Sequence, residues 1–551
     1  MKVFDAVANA FVKEGTSTLF GLLGDGQLSW WSAIAKHPGI RIVDAREEGA
    51  GLAMAEGWAK ATGKTGVCSV THGPGLARLS LSLIAARRSR TPIVVHTSKT
   101  SFNNEHAVQF LNQDLFVSGT EAGYIEVMTP GFAEEAVRQA FYRARLESRP
   151  IVLCIPLDIQ GKDCDSDGDE YRPSATMFSG QQRIRPDLDR LHAAVDIIAG
   201  SKKPVVVLGR GAMEPQARQA ADRLAARIGA LIATTLLARG VLAECEYHAG
   251  VSGTLSTRAA MQFFAEADCV IAIGAGLNDR TIQGGYLYPN ARIVHIDVAP
   301  HIMMGNERSA DCYVQGDAAT TTQEIDEILA QKGVAGQGFR TDAVRNVLRH
   351  ADRDPAEFEI EPGTIDPREV VRVIDDKLPS SVGLVIGSAH NFSFPVWHMK
   401  KPRGLQVCVN AFTGVGQLLA NAIGVGVAVN EPIVAIDGDG SALQNIQELD
   451  TAARLGIKML YVIMNDEAYG AEYHKLKAKN RDGNLSVVRT PDLGAVGRAF
   501  GCRGRLARTL EEVAAGIEEF LAGDGPMVLD VRVSRNVISI PYRRVHFGQD
   551  V

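Results

Sequence analysis

The residues best suited to chemistry lie late in the chain. Ile433-Val434-Ala435-Ile436-Asp437-Gly438-Asp439-Gly440-Ser441 reads as a buried strand that ends in a glycine turn, with a helix following to about Arg454. Glycine turns and helix N-termini gather backbone N–H groups on one spot, which suits phosphate. Asp439 falls at the strand's C-terminal end, where α/β sheets bind ligands. The next strand, Met459 to Met464, runs into Asn465-Asp466-Glu467-Ala468-Tyr469-Gly470 and should bring Asp466 to the same sheet edge. Two carboxylates beside a phosphate-binding turn make an oxygen-only site, and a hard cation such as Mg²⁺ suits it. Taken alone, a Gly-Asp-Gly turn is also what an ordinary loop with an exposed Asp looks like. A second acidic position, Arg46-Glu47-Glu48-Gly49, opens an Ala-rich helix to Thr62. By itself, an acidic first turn is ordinary helix-dipole chemistry.

These positions need strands and helices in alternation, and the chain supplies them three times. Apolar runs end at Gly21 and Asp44, and others span Gly66–Thr71, Pro92–Thr97 and Pro150–Ile155 in the first block. Pro204–Leu208, Cys269–Ile273 and Ile293–Ile296 mark the second, and Leu384–Ile386, Pro432–Ile436, Met459–Met464 and Met527–Val531 the third. Strands alternating with helices imply parallel sheets covered on both faces. The expected fold is therefore α/β with three doubly wound domains, over residues 1–170, 185–335 and 365–545. Weakly patterned stretches separate them, Gly161 to about Arg185 and about Gln331 to Pro367. The first contains Asp163-x-Asp165-x-Asp167-Gly168, the opening of a calcium loop, but the twelfth position is Ser174 rather than Glu, so it reads as a solvated linker.

The 551 residues carry 58 basic and 64 acidic side chains, a net charge of -6 that gives no reason to expect nucleic acid or an anionic membrane as partner. The 8 cysteines show no CxxC pairing and several sit in strand-like runs, as expected of reduced core residues in a cytoplasmic protein. No run of about 18 apolar residues suggests a membrane span, and Met1–Asp5 reads as the start of an amphipathic helix rather than a leader.

A Gly-Asp-Gly turn followed about 25 residues later by a strand ending in Asn-Asn resembles the cofactor motif of the thiamine-diphosphate-dependent enzymes, with Asp466 standing for the second Asn. The resemblance extends over nearly the whole chain. It is close to acetolactate synthases and their relatives, through Ala61-Thr62-Gly63-Lys64 and Val70-Thr71-His72-Gly73-Pro74-Gly75. It implies Mg²⁺ held by Asp439, Asp466 and the Ala468 carbonyl, and diphosphate cradled by Gly438, Gly440, Ser441, Tyr469, Gly470 and the turn Gly387-Ser388-Ala389-His390. It also implies Thr413 and Val415 under the pyrimidine ring, Val415 as the wedge that bends the cofactor and the Thr413 carbonyl as an acceptor. Glu48 occupies the place of the family's catalytic Glu, which bonds the far pyrimidine nitrogen and favours loss of a proton from the thiazolium carbon. In the family that Glu comes from a neighbouring subunit, so a homodimer or homotetramer with interfacial active sites is implied. Central-domain turns Leu208-Gly209-Arg210-Gly211 and Ile273-Gly274-Ala275-Gly276 sit where relatives hold FAD, ADP or nothing, and glycine turns alone do not decide for FAD.

The same resemblance bears on the substrate, a small carbonyl compound. Asp25 in Gly24-Asp25-Gly26 resembles the pyruvate decarboxylase pattern, as does Glu472, while that family's adjacent His pair is absent. Gln109 resembles the acetolactate synthase glutamine, and His72 a catalytic His of benzoylformate decarboxylase. Each has a plainer reading: Asp25 as a helix N-cap, His72 bonding its own turn, Glu472 on a helix surface. If all face one cleft, Asp25, His72 and Glu472 move protons and Gln109 orients the substrate. The expected activity is carbon–carbon bond cleavage or ligation on a 2-oxo acid, the alternative being cleavage of a diketone or 2-hydroxy ketone without decarboxylation. The tail from Ser534, with Tyr542-Arg543-Arg544, is a candidate cover for the cleft.

Overall fold

The computed structural model describes residues 1–102, 104–164, 171–177, 183–299, 309–350 and 354–549. Asp165, Asp167 and Gly168 of the calcium-like run lie outside the described residues, and Asp163 pairs with Lys2 at 3.0 Å.

Three six-stranded parallel sheets form the frame. The first contains β1 (Thr18–Gly21), β2 (Arg41–Asp44), β3 (Gly66–Ser69), β4 (Ile93–Lys99), β5 (Gly123–Glu126) and β6 (Pro150–Pro156). The second contains β7 (Pro204–Leu208), β8 (Leu231–Thr234), β9 (His248–Val251), β10 (Cys269–Ile273), β11 (Arg292–Asp297) and β12 (Cys312–Gln315). The third contains β13 (Gly383–Ile386), β14 (Gln406–Cys408), β15 (Ile433–Gly438), β16 (Met459–Asn465), β17 (Arg503–Ala507) and β18 (Met527–Arg532). Helices cover both faces, which is why strands such as β7, β10 and β16 are buried along their whole length.

Strand order explains where ligands can sit. The first sheet runs β2-β1-β3-β4-β6-β5 and the third β14-β13-β15-β16-β18-β17, the same order twice. The second runs β12-β11-β10-β7-β8-β9, the dinucleotide-fold order read from its far edge. In the first and third sheets the order reverses between β1 and β3 and between β13 and β15. Crevices open at such switch points, outside the carboxyl ends of the strands. The loops after these four strands carry Asp25, His72, Gly387–His390 and Gly438–Ser441.

The first and third sheets also share one apolar core, built where the helices Glu48–Thr62 and Leu418–Ala428 cross. The contact is backbone to backbone. A Cβ on Gly57 would collide with Asn421 O, and one on Gly424 with Met54 O. The helix Glu48–Thr62 begins where the Glu47 side chain accepts from Ala50 N at 2.7 Å and ends at Gly63 in the left-handed region.

The expected helix from Ser441 to Arg454 is two pieces, Asp439–Ala442 and Glu448–Arg454. Asn445 sits between them and donates to Gly416 O at 2.7 Å, while Gln447 donates to Asn445 Oδ1. Side-chain bonding of this kind competes with helical backbone pairing. No helix among the described residues is long and apolar enough to cross a membrane.

Candidate active site

In the third sheet Asp437 pairs in register with Ile463 and Gly438 with Met464, so Asp439 and Asp466 leave adjacent strands at one edge. Both side chains are buried. Burial first, and then the neighbouring Asp466, holds the Asp439 carboxyl well above the usual carboxylate range. Burial likewise raises Asp466, against the opposing bond from Ala468 N at 3.1 Å. Two adjacent buried acids that both resist ionisation are the donor set a divalent cation relieves. The loop on either side of Ala468 is fastened by hydrogen bonds from Tyr469 N to Ser486 O and from Val488 N to Glu467 O. Gly470 must lack a side chain, because a Cβ there would collide with Asp466 Oδ2.

The surrounding turns are strained in a consistent way. Ala389, Thr413 and Glu467 all adopt positive φ, at 67°, 53° and 52°. Non-glycine residues in this region cost free energy and cluster at ligand sites. Cross-links hold the turns together: Gly416 N donates to Ser441 Oγ at 3.0 Å, Ser388 Oγ reaches Gly414 O at 3.5 Å, and Asn391 Nδ2 donates to Met464 O at 3.1 Å. Sequence reasoning passed over Asp437. It accepts from Ser441 Oγ and Tyr461 OH at 2.9 Å each, and burial pushes it up to about 6. Its place inside the Asp-Gly-Asp-Gly run was the available signal. Ser441 is thus a strut between two loops, its hydroxyl committed to Asp437 and Gly416. Tyr469 lays its ring against Gly440.

The neighbouring loops border a cavity of about 1470 Å³, larger than the roughly 300–1,000 Å³ of an ordinary small-molecule pocket, although neither Asp439 nor Asp466 is among its lining residues. Ala389, Thr413, Val415 and Glu472 line one side, and Arg210, Gly274, Gly276 and Asp297 of the central sheet the other. The helix Ile540–Phe547 adds Tyr542 and His546 to its wall, as the tail reading expected. The glycine turns after β7 and β10 touch directly, since a Cβ on Gly209 would meet Gly274 O. Glu472 projects from the helix Gly470–Ala478 with its side chain 57% exposed and pairs with Lys475 at 3.2 Å.

The first-domain set forms a separate cluster. Asp25 does not cap a helix; its Oδ1 accepts from Thr71 Oγ1 at 3.1 Å. His72 is buried, and its Nδ1 meets Ser98 Oγ at 2.7 Å rather than its own turn. Burial lowers the His72 pKa, partly opposed by Asp25. Ser98 is held by Gln113, which donates to its carbonyl at 2.9 Å. Gln109 packs its backbone against Gly73. Glu48 lies beside Arg78 Nε at 3.3 Å. Glu48, Asp25, His72 and Gln109 are not among the residues that line the cavity in a single chain.

Two cofactor-type crevices of equal strand order flank a dinucleotide-type sheet, and the comparisons with known proteins agree with that class. Residues 1–119 match the thiamine pyrophosphate enzyme N-terminal TPP-binding domain, 191–325 the central domain and 385–531 the C-terminal TPP-binding domain. The chain belongs to the thiamine-pyrophosphate-dependent enzymes. It is 29% identical over 547 residues to the acetolactate synthase large subunit of Parasynechococcus marenigrum, covering 96% of this chain and 87% of that one. It is 25% identical over 543 residues to the acetolactate synthase isozyme 2 large subunit of Escherichia coli, covering 96% and 94%. A crystal structure from Mycobacterium smegmatis, of an enzyme provisionally described as thiamin diphosphate-dependent, superposes with a TM-score of 0.80 at 22% identity, over 97% of this chain and 99% of that one.

Proposed function

We propose that this enzyme breaks the bond beside the carbonyl of a 2-oxo acid and passes the acyl unit to a proton or to a second carbonyl. The observation that carries the reading is the buried Asp439–Asp466 pair between two strained turns, at the switch point of the third sheet. Bound thiamine diphosphate supplies the carbon nucleophile and the electron sink. Asp439, Asp466 and the Ala468 carbonyl hold Mg²⁺ against the diphosphate, and Gly387–His390 with Gly438–Gly440 close around it. Val415 and the Thr413 carbonyl orient the pyrimidine ring.

Glu48 bonds that ring from a second subunit. Support comes from the loops that would meet across an interface, which expose Val108, Phe110, Phe412 and Tyr469. The active assembly is thus a homodimer, or a homotetramer built from such dimers. His72 is neutral at physiological pH and, with Asp25, gives or takes protons at the reacting oxygen. Glu472 does so from the opposite wall, and Gln109 orients the substrate. The acetolactate synthase relatives favour a second carbonyl as acceptor, whereas the acid at position 25 departs from their pattern. The central-domain turns leave room for a nucleotide, and the proposed reaction draws on none.

The test is a panel of 2-oxo acids with thiamine diphosphate and Mg²⁺, followed by carbon dioxide release and product analysis. Cofactor-dependent carbon dioxide release is expected. Consumption of a diketone with no carbon dioxide from any 2-oxo acid would overturn the proposal.

A further inference from the structure

His390 is wholly enclosed in the third domain. Phe394, His474 and Tyr542 pack on its ring, at centroid separations of 5.1, 4.4 and 4.8 Å. Its Nε2 accepts a hydrogen bond from the backbone N–H of Ser539, 3.0 Å away, in the segment leading into the helix Ile540–Phe547. That donor is an amide and cannot reverse its role. A neutral imidazole carries one N–H, so Nε2 as acceptor forces the proton onto Nδ1. Nδ1 is buried without a hydrogen-bond partner. It faces Gly470: a Cβ there would lie 3.7 Å from Nδ1 and against Asp466 Oδ2. A buried N–H left without an acceptor is costly unless something else supplies one.

We propose that the C-terminal segment acts on the cofactor site through His390, the Ser539 amide fixing the ring with its N–H on Nδ1 so that it donates to an oxygen of the bound diphosphate. This rests on the cofactor placement proposed above. Ser539 is a positioning residue: its backbone N–H meets the ring, while its carbonyl accepts from Tyr542 and Arg543 N–H at the start of the helix. The tail therefore has a role beyond walling the cavity. Its docking decides whether one diphosphate donor faces the site.

The two halves of the inference can be tested separately. In the apoenzyme, long-range ¹H–¹⁵N spectra of ¹⁵N-histidine protein, with His390→Asn for assignment, should show the His390 proton on Nδ1. A proton on Nε2 overturns the proposal whether or not any cofactor binds. In the holoenzyme, thiamine diphosphate affinity is titrated at saturating Mg²⁺. His390→Phe, which keeps the ring shape, should weaken binding by roughly tenfold to a hundredfold, the range for a hydrogen bond to a charged group. His390→Asn places an amide nitrogen near the Nδ1 position and should recover binding to within about threefold. Ser539 already has φ −65°, so Ser539→Pro removes the N–H with little strain, frees the tautomer and should weaken binding in the same direction. Equal affinity for the unaltered enzyme and His390→Phe overturns the donor role. No thiamine diphosphate affinity in the unaltered enzyme instead overturns the cofactor reading, with the tautomer still judged by the spectra.

Discussion

Replacing Asp466 with Asn should move two properties in opposite directions. In the apoenzyme, Asp439 and Asp466 are buried together and both resist ionisation. Two full charges about 4 Å apart would repel by about 4 kcal/mol at an effective dielectric of about 20. Sharing a proton relieves part of this, so removing one carboxylate should return about 1–2 kcal/mol. Both folded pKa values lie above the unfolded ones. The penalty is therefore small below the unfolded carboxylate range and grows as pH rises through the folded values. The gain from Asp466→Asn should accordingly be absent in acid and present at neutral pH and above. It should appear as a rise in Tm of about 2–6 °C for the domain, measured by calorimetry in EDTA. Cation binding should fall at the same time. Loss of one charged ligand should raise the Mg²⁺ needed for half-saturation of cofactor binding by roughly tenfold to a hundredfold. An Asn variant no more stable in EDTA and unchanged in Mg²⁺ demand would refute the reasoning, because the pair would then be neither strained nor a cation site.

Glu48→Gln should leave thiamine diphosphate affinity within a few fold and lower kcat by roughly 10²–10⁴, the usual contribution of a positioned acid–base group; steady-state rates and equilibrium titration separate the two. Acid lability should be steep, because burial lowers His96 to about 3 and His248, His398 and His474 to about 4. These folded values lie below the unfolded one, so the unfolded chain binds more protons and stability is lost as pH falls from about 6.5 towards 4. His96→Phe, stacked on Trp30, should reduce that slope by at most about 1.4 kcal/mol per pH unit, read from denaturant midpoints across the range. A slope unchanged from the unaltered protein would mean that His96 is not among the groups responsible.

Much of the frame was legible because strands buried on both faces are written as unbroken apolar runs, as in Ile433–Ile436 and Met459–Met464. The Asp439–Asp466 spacing was readable for the same reason: one strand, one helical crossover and the next strand return the chain to the same edge. What was hidden depended on partners remote in sequence. Nothing near Asp25 points to Thr71, nor does the run around His72 reveal Ser98. The break in the helix after Ser441 comes from Asn445 reaching Gly416 in another loop. His390 was readable as part of a diphosphate turn, but the amide that orients it lies 149 positions away. Glu48 was found by its family context, and the Arg78 beside it by neither spacing nor composition.

The glycine crossing of Gly57 and Gly424 has a mechanical consequence. With backbone touching backbone, a side chain at either glycine would force the two helices apart and open the core that the first and third sheets share. The central sheet meets this unit through side chains instead: Arg210 donates to Arg90 O at 2.9 Å and Arg239 to Pro395 O at 3.1 Å.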